Sequence, residues 1–196
     1  MTVQCKKLNK GALWLVLGGA FVLRLLLAAI TTGYSYDMGC FGAWAAKMAQ
    51  SGPAAFYSEG YFADYPPGYL YVLGAVGAVQ KIFGLYFDGA AFKMLLALVP
   101  AVCDCAAAWL VAQLGQRCLP DGRGVLCLTA FAAFHPAALF DTAVWKQIDG
   151  AFTLPILLCF LLLETKNYLP AAIFYGIALS IKPQALLFGP VLAACF

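Results

Sequence analysis

The stretch GALWLVLGGAFVLRLLLAAITTG, residues 11–33, decides the fold class, and Arg24 is its one charged residue. A helix that crosses a bilayer needs about 20 predominantly apolar residues, so this stretch is long enough to span a membrane. Lys6, Lys7 and Lys10 precede it, and positive charge before a first span predicts a cytoplasmic N-terminus. A secretory signal peptide would have a shorter apolar run and a small-residue cleavage site. We therefore interpret residues 11–33 as a retained first transmembrane helix.

The whole chain has the composition of a membrane protein. Hydrophobic residues make up 64% and charged residues 11% of the sequence, with a mean hydropathy of +0.85. Soluble domains are about 45–50% apolar and about 25% charged, so lipid must be the solvent for much of this surface. The small net charge of +3 does not indicate a nucleic-acid partner. Most of the eight cysteines lie in apolar runs, and their spacing predicts neither a disulfide framework nor a metal site.

The order of apolar segments predicts an all-α, multi-pass integral membrane protein with a single transmembrane module over residues 1–196. The predicted spans are 11–33, 92–115, 125–140, 151–163 and 169–196, the last broken at 182–184. Between the first two lies a predicted external loop, 34–91, with an amphipathic interfacial helix at 37–50 whose apolar residues are Phe41, Trp44, Ala45 and Met48. The run 69–84 is too short for a full span and predicts an external or half-embedded helix.

Loop charges give the orientation only in part. Six Lys and Arg residues lie on the cytoplasmic side and four on the other side, whether or not 69–84 crosses the membrane. The short loop Gln116–Gly124 carries two arginines, which is typical of a cytoplasmic loop. Segments 34–91 and 141–150 then lie on the non-cytoplasmic side. Four carboxylates should border one external cavity there: Asp37, Asp64, Asp141 and Asp149.

Two acidic motifs lie in the external loop. Asp37 follows the first span, and Trp44 comes seven positions later. The structural alternative is a helix cap with an interfacial aromatic anchor. Asp64 and Tyr65 precede a Pro-Pro pair, which suits the start of a helix that Asp64 would cap. We keep both interpretations open for each motif.

A second group of polar residues interrupts the later apolar segments. The run Trp145-Lys146-Gln147-Ile148-Asp149 carries groups that bond to hydroxyls and phosphates, although a solvated loop would also explain it. Lys182 precedes Pro183 within an apolar stretch, and a charge at membrane depth usually faces a cavity or a partner. Arg24 and Asp104 belong to the same class, with mutual pairing as the structural alternative.

Together these motifs resemble the GT-C superfamily of glycosyltransferases that use lipid-linked sugars. The closest patterns are those of the endoplasmic-reticulum glucosyltransferases of the N-glycan precursor and of the GPI mannosyltransferase II family with its bacterial relatives. One difference is Lys146, where those bacterial relatives commonly have glycine. The matching elements are Asp37 with Trp44, Asp64-Tyr65-Pro66-Pro67, the span from Phe92 to Asp104, Trp145 to Asp149, and Lys182-Pro183-Gln184.

The resemblance implies an inverting transfer of a hexose, with mannose favoured, from a polyprenyl- or dolichyl-phosphate sugar. The acceptor would be a glycan or a lipid-linked molecule on the non-cytoplasmic face, and no metal or other cofactor would be needed. Asp37 would be the general base, and Lys182 would bind the leaving phosphate, for which Arg24 and Lys146 are weaker candidates. The predicted substrate-binding residues are Asp64, Tyr65, Trp145, Lys146, Gln147, Asp149, Lys182 and Arg24.

Members of the superfamily are about twice this length, so the resemblance also implies that the chain is the N-terminal half of an enzyme. We expect it in a bacterial cell membrane, or in the endoplasmic reticulum of a eukaryote. Two alternatives remain at this point. Embedded Lys182 and Asp104 and the broken helix also suit half of a transporter or flippase. A shortened, non-catalytic membrane protein is the second alternative.

Overall fold

The structure is a computed structural model that describes residues 8–195, and every element in this range is a helix. The predicted all-α class is confirmed. Lys6 and Lys7, which support the predicted cytoplasmic N-terminus, lie outside the described residues. The α-helices are α1 Lys10–Ile30, α2 Ser35–Ser51, α3 Pro67–Phe83, α4 Ala90–Cys118, α5 Gly122–Ala133, α6 Pro136–Leu139, α7 Asp149–Glu164, α8 Tyr168–Ile181 and α9 Gly189–Cys195. The shorter elements are 3₁₀ helices at Pro53–Ala55 and Pro183–Phe188 and a π-helical segment at Phe140–Trp145.

Three helical segments are long and apolar enough to cross a membrane: Lys10–Ile30, Ala90–Cys118 and Gly122–Trp145. Large apolar side chains on α1 are exposed, including Leu15 and Ile30 at 78% each. Exposure of this kind is stable in lipid, where a helix also satisfies its own backbone groups. The chain is therefore a multi-pass membrane protein, as its composition predicts.

Small residues hold the first spans together. Ala20 of α1 and Ala108 and Ala112 of α4 are buried in one apolar cluster. Small side chains let membrane helices approach closely, so dispersion contacts replace the missing hydrophobic drive between helices. This packing places the C-terminal end of α1 beside the other elements that build the site.

Helices α2 and α3 form a compact pair between the first two spans. Trp44 and Met48 of α2 pack in one buried cluster with Leu70 and Leu73 of α3. The buried face of α2 carries the residues whose spacing predicts an amphipathic helix. At Gly77 the two backbones approach so closely that a Cβ atom there would lie 2.0 Å from the carbonyl oxygen of Ala45.

The predicted capping role of Asp64 is wrong. Helix α3 begins at Pro67, its N-cap is Pro66, and no side chain caps it. Proline suits this position because its fixed φ is already helical and its missing N–H has no partner to lose. Asp64 is exposed, so its carboxylate stays available at the surface.

The predicted loop 141–150 is also largely wrong. Phe140–Trp145 continues the helical path from α5 and α6 as a π-helical segment, and only residues 146–148 are not helical before α7 begins. The candidate span therefore runs to Trp145 and not to residue 140. A π turn contains an extra residue, which changes the direction of the side chains that follow and is frequent at functional sites. Lys146 ends the segment with a left-handed backbone, φ 69°.

Candidate active site

Residues 140–149, which we call the 140–149 segment, connect four other parts of the molecule. The segment contains the π turn, the short non-helical stretch and the first residue of α7. Its side-chain contacts are Thr142 with Asp104 on α4, Trp145 and Gln147 with Asp37 on α2, Lys146 with Thr31 after α1, and Asp149 with Lys182 after α8. One short segment thus brings together most of the residues that the sequence predicts for the site.

Asp37 is the best-defined carboxylate of this group. It lies in the first turn of α2, where the helix dipole favours negative charge. Its Oδ2 accepts a hydrogen bond of 2.9 Å from Nε1 of Trp145 and another from Nε2 of Gln147. Within residues 8–195 no donor reaches Oδ1 of Asp37. The carboxylate is therefore held through one oxygen, and its other oxygen is available.

Tyr65 fixes the orientation of the Gln147 amide. Its hydroxyl donates to Oε1 of Gln147 over 3.3 Å. Burial, followed by the negative charges of Asp149 and Asp37, raises the pKa of Tyr65 well above its ordinary value. The phenol therefore stays protonated and acts as a donor, so the amide oxygen faces Tyr65 and the amide NH₂ faces Asp37.

Lys182 lies at the end of α8, where Pro183 starts a 3₁₀ helix and α8 cannot continue. Its side chain is mostly buried, and its Nζ contacts Oδ1 of Asp149 in a salt bridge. Because Asp149 is two residues from Gln147, their Cα atoms are at most about 7 Å apart. The lysine and the Asp37 carboxylate are thus connected through one short stretch of chain.

Lys146 attaches the 140–149 segment to the end of α1. The residue is 3% exposed, and its Nζ donates to the backbone oxygen of Thr31 at 3.0 Å, to Thr31 Oγ1 at 2.7 Å and to the oxygen of Ala143 at 3.3 Å. Burial lowers its pKa to about 8. Its left-handed backbone is one that glycine adopts more readily than lysine does.

Arg24 and Asp104 pair with each other. Nε of Arg24 lies 3.0 Å from Oδ2 of Asp104, and Thr142 donates to the same oxygen at 2.7 Å. A second nitrogen of Arg24 donates to the oxygen of Ala133 at 2.8 Å. Arg24 is 0% exposed, so a substrate could reach it only after rearrangement of the helices. This is the structural alternative that the sequence left open.

Two open grooves flank the start of α2. The first has a volume of about 520 Å³ and the second about 440 Å³, both within the range of small-molecule sites. Trp145 belongs to the wall of the first groove, so that groove adjoins one of the two donors to Asp37. The first is lined by Ile30, Thr31, Thr32, Gly33, Tyr34, Phe140, Val144 and Trp145. The second is lined by Ser35, Tyr36, Gly39, Cys40, Ala43, Trp44, Tyr61 and Phe62.

The sequence did not single out Thr31 or Thr142. Each is a hydroxyl next to apolar residues, and threonine at a helix end is common without function. The available signal was position, because Thr31 ends the first span and Thr142 adjoins Asp141 in the polar segment. Their partners, Lys146 and Asp104, could not be assigned from sequence.

These features define a polytopic, all-α membrane protein with a fixed carboxylate and a buried lysine near the end of its first span. The family model of glycosyltransferase family 87 matches residues 62–195. No curated protein and no solved structure matches the chain.

The family match covers more than half of the sequence, and the chain belongs to glycosyltransferase family 87, a family of GT-C type glycosyltransferases. The predicted glycosyltransferase class is confirmed at this level. The matched range includes Tyr65, Gln147 and Lys182 but not Asp37. Two hydrogen bonds connect Asp37 to the matched range, because both of its donors, Trp145 and Gln147, lie within that range.

Proposed function

We propose that this protein transfers a hexose, with mannose favoured, from a lipid-phosphate-linked sugar to a glycan or lipid-linked acceptor on the non-cytoplasmic membrane face. The family supplies the glycosyl transfer, and the finer assignments are our proposal. The observation that carries it is Asp37, held by Trp145 and Gln147 beside an open groove at the end of the first span. We favour mannose because the sequence motifs resemble those of the GPI mannosyltransferase II family.

The location of Asp37 suits a donor that is anchored in lipid. Asp37 lies seven residues after Ile30, where the first candidate span ends. The phosphate of a lipid-linked sugar must stay near the headgroups, so its anomeric carbon must react close to that level. The adjoining groove has apolar walls at Ile30 and Phe140, which suit a hydrocarbon chain.

The chemical step needs a base and a leaving-group partner. An acceptor hydroxyl attacks the anomeric carbon from the face opposite the phosphate, and Asp37 takes the hydroxyl proton. The bond between the anomeric carbon and the phosphate oxygen breaks, and its electron pair leaves with the lipid phosphate. The configuration at carbon inverts because the two oxygens occupy opposite faces. The step as we propose it uses this chain's carboxylate and lysine and includes no metal or cofactor.

We propose Lys182 as the cation for the leaving phosphate. Its ammonium is mostly buried and has one carboxylate partner, Asp149, which a phosphate could replace. Asp64 and Tyr65 lie near Asp37 and could bind sugar hydroxyls. Lys146 and Arg24 are weaker phosphate candidates, since both are engaged inside the described chain.

Substitution of Asp37 tests the proposed function. General-base catalysis is typically worth about 10²–10⁴-fold in rate, so Asp37→Asn should reduce hexosyl transfer by a factor in that range. Binding of the lipid-phosphate sugar and the folded amount in membranes should change little. Asp88→Asn is the matched control because Asp88 is an exposed carboxylate of the same predicted external loop and has no proposed role in the site. Near-normal turnover of Asp37→Asn, or a large loss only in Asp64→Asn, would move the base away from Asp37.

The orientation has its own test. Glu59 lies in the predicted external loop, and Gly122, the first residue of α5, lies in the predicted cytoplasmic loop Gln116–Gly124. In a background without native cysteines, Glu59→Cys should react with a membrane-impermeant maleimide in intact cells. Gly122→Cys should react only after the membrane is opened. The reverse pattern would place the proposed site on the cytoplasmic face.

Transport is the alternative from another class, and the structure gives it less support than the sequence did. A transporter needs charges available near the bilayer midplane. Here Arg24 and Asp104 neutralise each other in a buried ion pair, and Lys182 pairs with Asp149. Accessible carboxylates are found instead at Asp37 and Asp64, both outside the candidate spans.

A further inference from the structure

We propose that Gln147 and Trp145 are positioning residues that fix Asp37 through Oδ2 and direct Oδ1 towards the acceptor hydroxyl. This assigns the two residues a role through Asp37 and not as ligands of the sugar. The inference rests on the proposed function, because it concerns the same carboxylate. We call the two hydrogen bonds to Oδ2 the carboxylate clamp.

The first argument is that both donors reach one oxygen. A carboxylate oxygen has two lone-pair sites, and Oδ2 receives the indole N–H of Trp145 and the amide N–H of Gln147. Oδ2 is therefore fully occupied. Oδ1 receives no hydrogen bond from residues 8–195, so it is the oxygen with a free lone pair. A base must present such a lone pair to the proton that it abstracts.

The second argument is that the amide of Gln147 is occupied at both ends. Its oxygen accepts from Tyr65, and its nitrogen donates to Asp37. A carboxylate accepts hydrogen bonds and does not donate them, so a reversed amide would lose its bond to Asp37 and turn its oxygen towards that carboxylate. Few hydrogen-bonding groups of Gln147 remain for a sugar, whereas a positioning role uses the bonds that are present.

The third argument is that the donors themselves are held in place. The ring of Trp145 lies 5.4 Å from the ring of Tyr34 and 5.9 Å from that of Phe140. The backbone oxygen of Trp145 accepts a hydrogen bond from the N–H of Tyr34 at 3.3 Å. Next to Gln147, Ile148 is 1% exposed within the cluster that holds α2 and α3 together. Supporting contacts of this kind keep a reactive group within a fraction of an ångström of its working geometry.

The test uses near-isosteric substitutions that remove one donor each. Gln147→Met and Trp145→Phe keep most of the side-chain volume and remove the N–H group. A misplacement of about 1 Å can cost about 10²-fold in rate, and each variant keeps one of the two donors, so kcat should fall by about 10- to 100-fold while KM for the donor sugar stays unchanged. Gln50→Met is the matched control, since Gln50 is exposed near the other end of α2. It should behave as the unaltered protein.

A second arm asks whether Gln147 acts through Asp37. In an Asp37→Asn background the base is already lost, so Gln147→Met should cause no further loss of rate. A rise in KM with unchanged kcat would show that Gln147 is a substrate ligand and would overturn the inference. An equal loss of rate in the Asp37→Asn background would overturn it too.

A third arm separates this inference from the proposed function. Unfolding in denaturing detergent gives a double-mutant cycle for Asp37→Ala and Gln147→Met, each of which removes one side of the contact, and this cycle needs no activity. Non-additive unfolding is expected, and additive effects would show that the clamp does not exist. If the contact is present but the unaltered protein transfers no sugar from any lipid-phosphate donor, the proposed function fails and the positioning role fails with it. If the unaltered protein transfers sugar but Gln147→Met changes KM, only the positioning role is overturned and the proposed function stands.

Discussion

Gly77→Ala should separate α2 from α3 and destabilise the fold. The added Cβ would lie 2.0 Å from the backbone oxygen of Ala45 and 3.1 Å from the Cβ of Ala49. Ordinary carbon–oxygen contacts are about 3.3–3.6 Å, so the helices would have to move apart by about 1.3 Å. Backbone atoms block the new methyl group, so a change of side-chain rotamer cannot relieve the overlap.

The size of the effect follows from the packed surface that would open. A gap of about 0.5–1 Å forfeits a quarter to a half of each dispersion contact, and Trp44 and Leu73 both lie in the buried cluster between the helices. Overpacking costs typically about 1–3 kcal/mol, and this backbone clash belongs near the upper end. Alanine recovers about 1 kcal/mol of helix propensity. We expect a net loss of about 2 kcal/mol in the free energy of unfolding.

Two further glycines supply the controls. A Cβ at Gly39 of α2 would meet nothing within 4 Å, so Gly39→Ala should stabilise by up to about 1 kcal/mol. A Cβ at Gly74 would meet only the side chain of Met48, at 3.4 Å, so Gly74→Ala should be nearly neutral. Unfolding in denaturing detergent, followed by tryptophan fluorescence, would measure all three. Equal stability of Gly77→Ala and Gly39→Ala would refute the close packing of α2 on α3.

Three further predictions concern charged groups. Asp104→Asn should cost about 3–5 kcal/mol of unfolding free energy, because it leaves buried Arg24 without its anion. The double variant with Arg24→Met should recover part of that loss, and additive losses would contradict the pairing. The folded pKa of Lys146, about 8, lies below its ordinary value of 10.5 because burial disfavours the charged amine. The folded state is therefore most stable when this amine is neutral, and that stability is lost as the pH falls through 8. The unfolding free energy of the unaltered protein minus that of Lys146→Met should therefore rise between pH 8 and 10.5, and a constant difference would argue against burial of the charge. Finally, Lys182→Met should weaken binding of polyprenyl phosphate about ten-fold, whereas Asp149→Asn should tighten it because it frees the Lys182 ammonium. Equal affinities of the variants and the unaltered protein in an equilibrium binding assay would remove Lys182 from the donor site.

The fold class could be predicted because the bilayer imposes a length and composition on every span. Residues 11–33 meet both requirements in the sequence, and α1 occupies Lys10–Ile30. The helix α2 was predictable for a related reason, since apolar residues at helical spacing must cover a neighbour. Pairing of Arg24 with Asp104 was left open because spacing alone does not fix how α1 and α4 rotate against each other.

Most of the site required three-dimensional information. Gln147 and Asp37 are 110 positions apart, and their contact depends on the π turn before Lys146. A π turn has no dependable sequence signal, so the pattern predicted a loop there. The capping role of Asp64 failed for a local reason, since Pro66 already occupies the N-cap of α3. The sequence supplied candidate residues for the site but not which of them meet.

The separation of Asp37 from its donors also sets an order of events during synthesis. Gln147 follows Asp37 by 110 residues, and at about 5–20 residues per second a ribosome needs roughly 5–20 s to make that stretch. Throughout this interval the carboxylate has neither Trp145 nor Gln147 beside it. The segments Ala90–Cys118 and Gly122–Trp145 must both be made before the donors can arrive. Formation of the clamp would therefore report that the first three candidate spans have been assembled, and a nascent chain arrested before residue 145 should leave Asp37 hydrated.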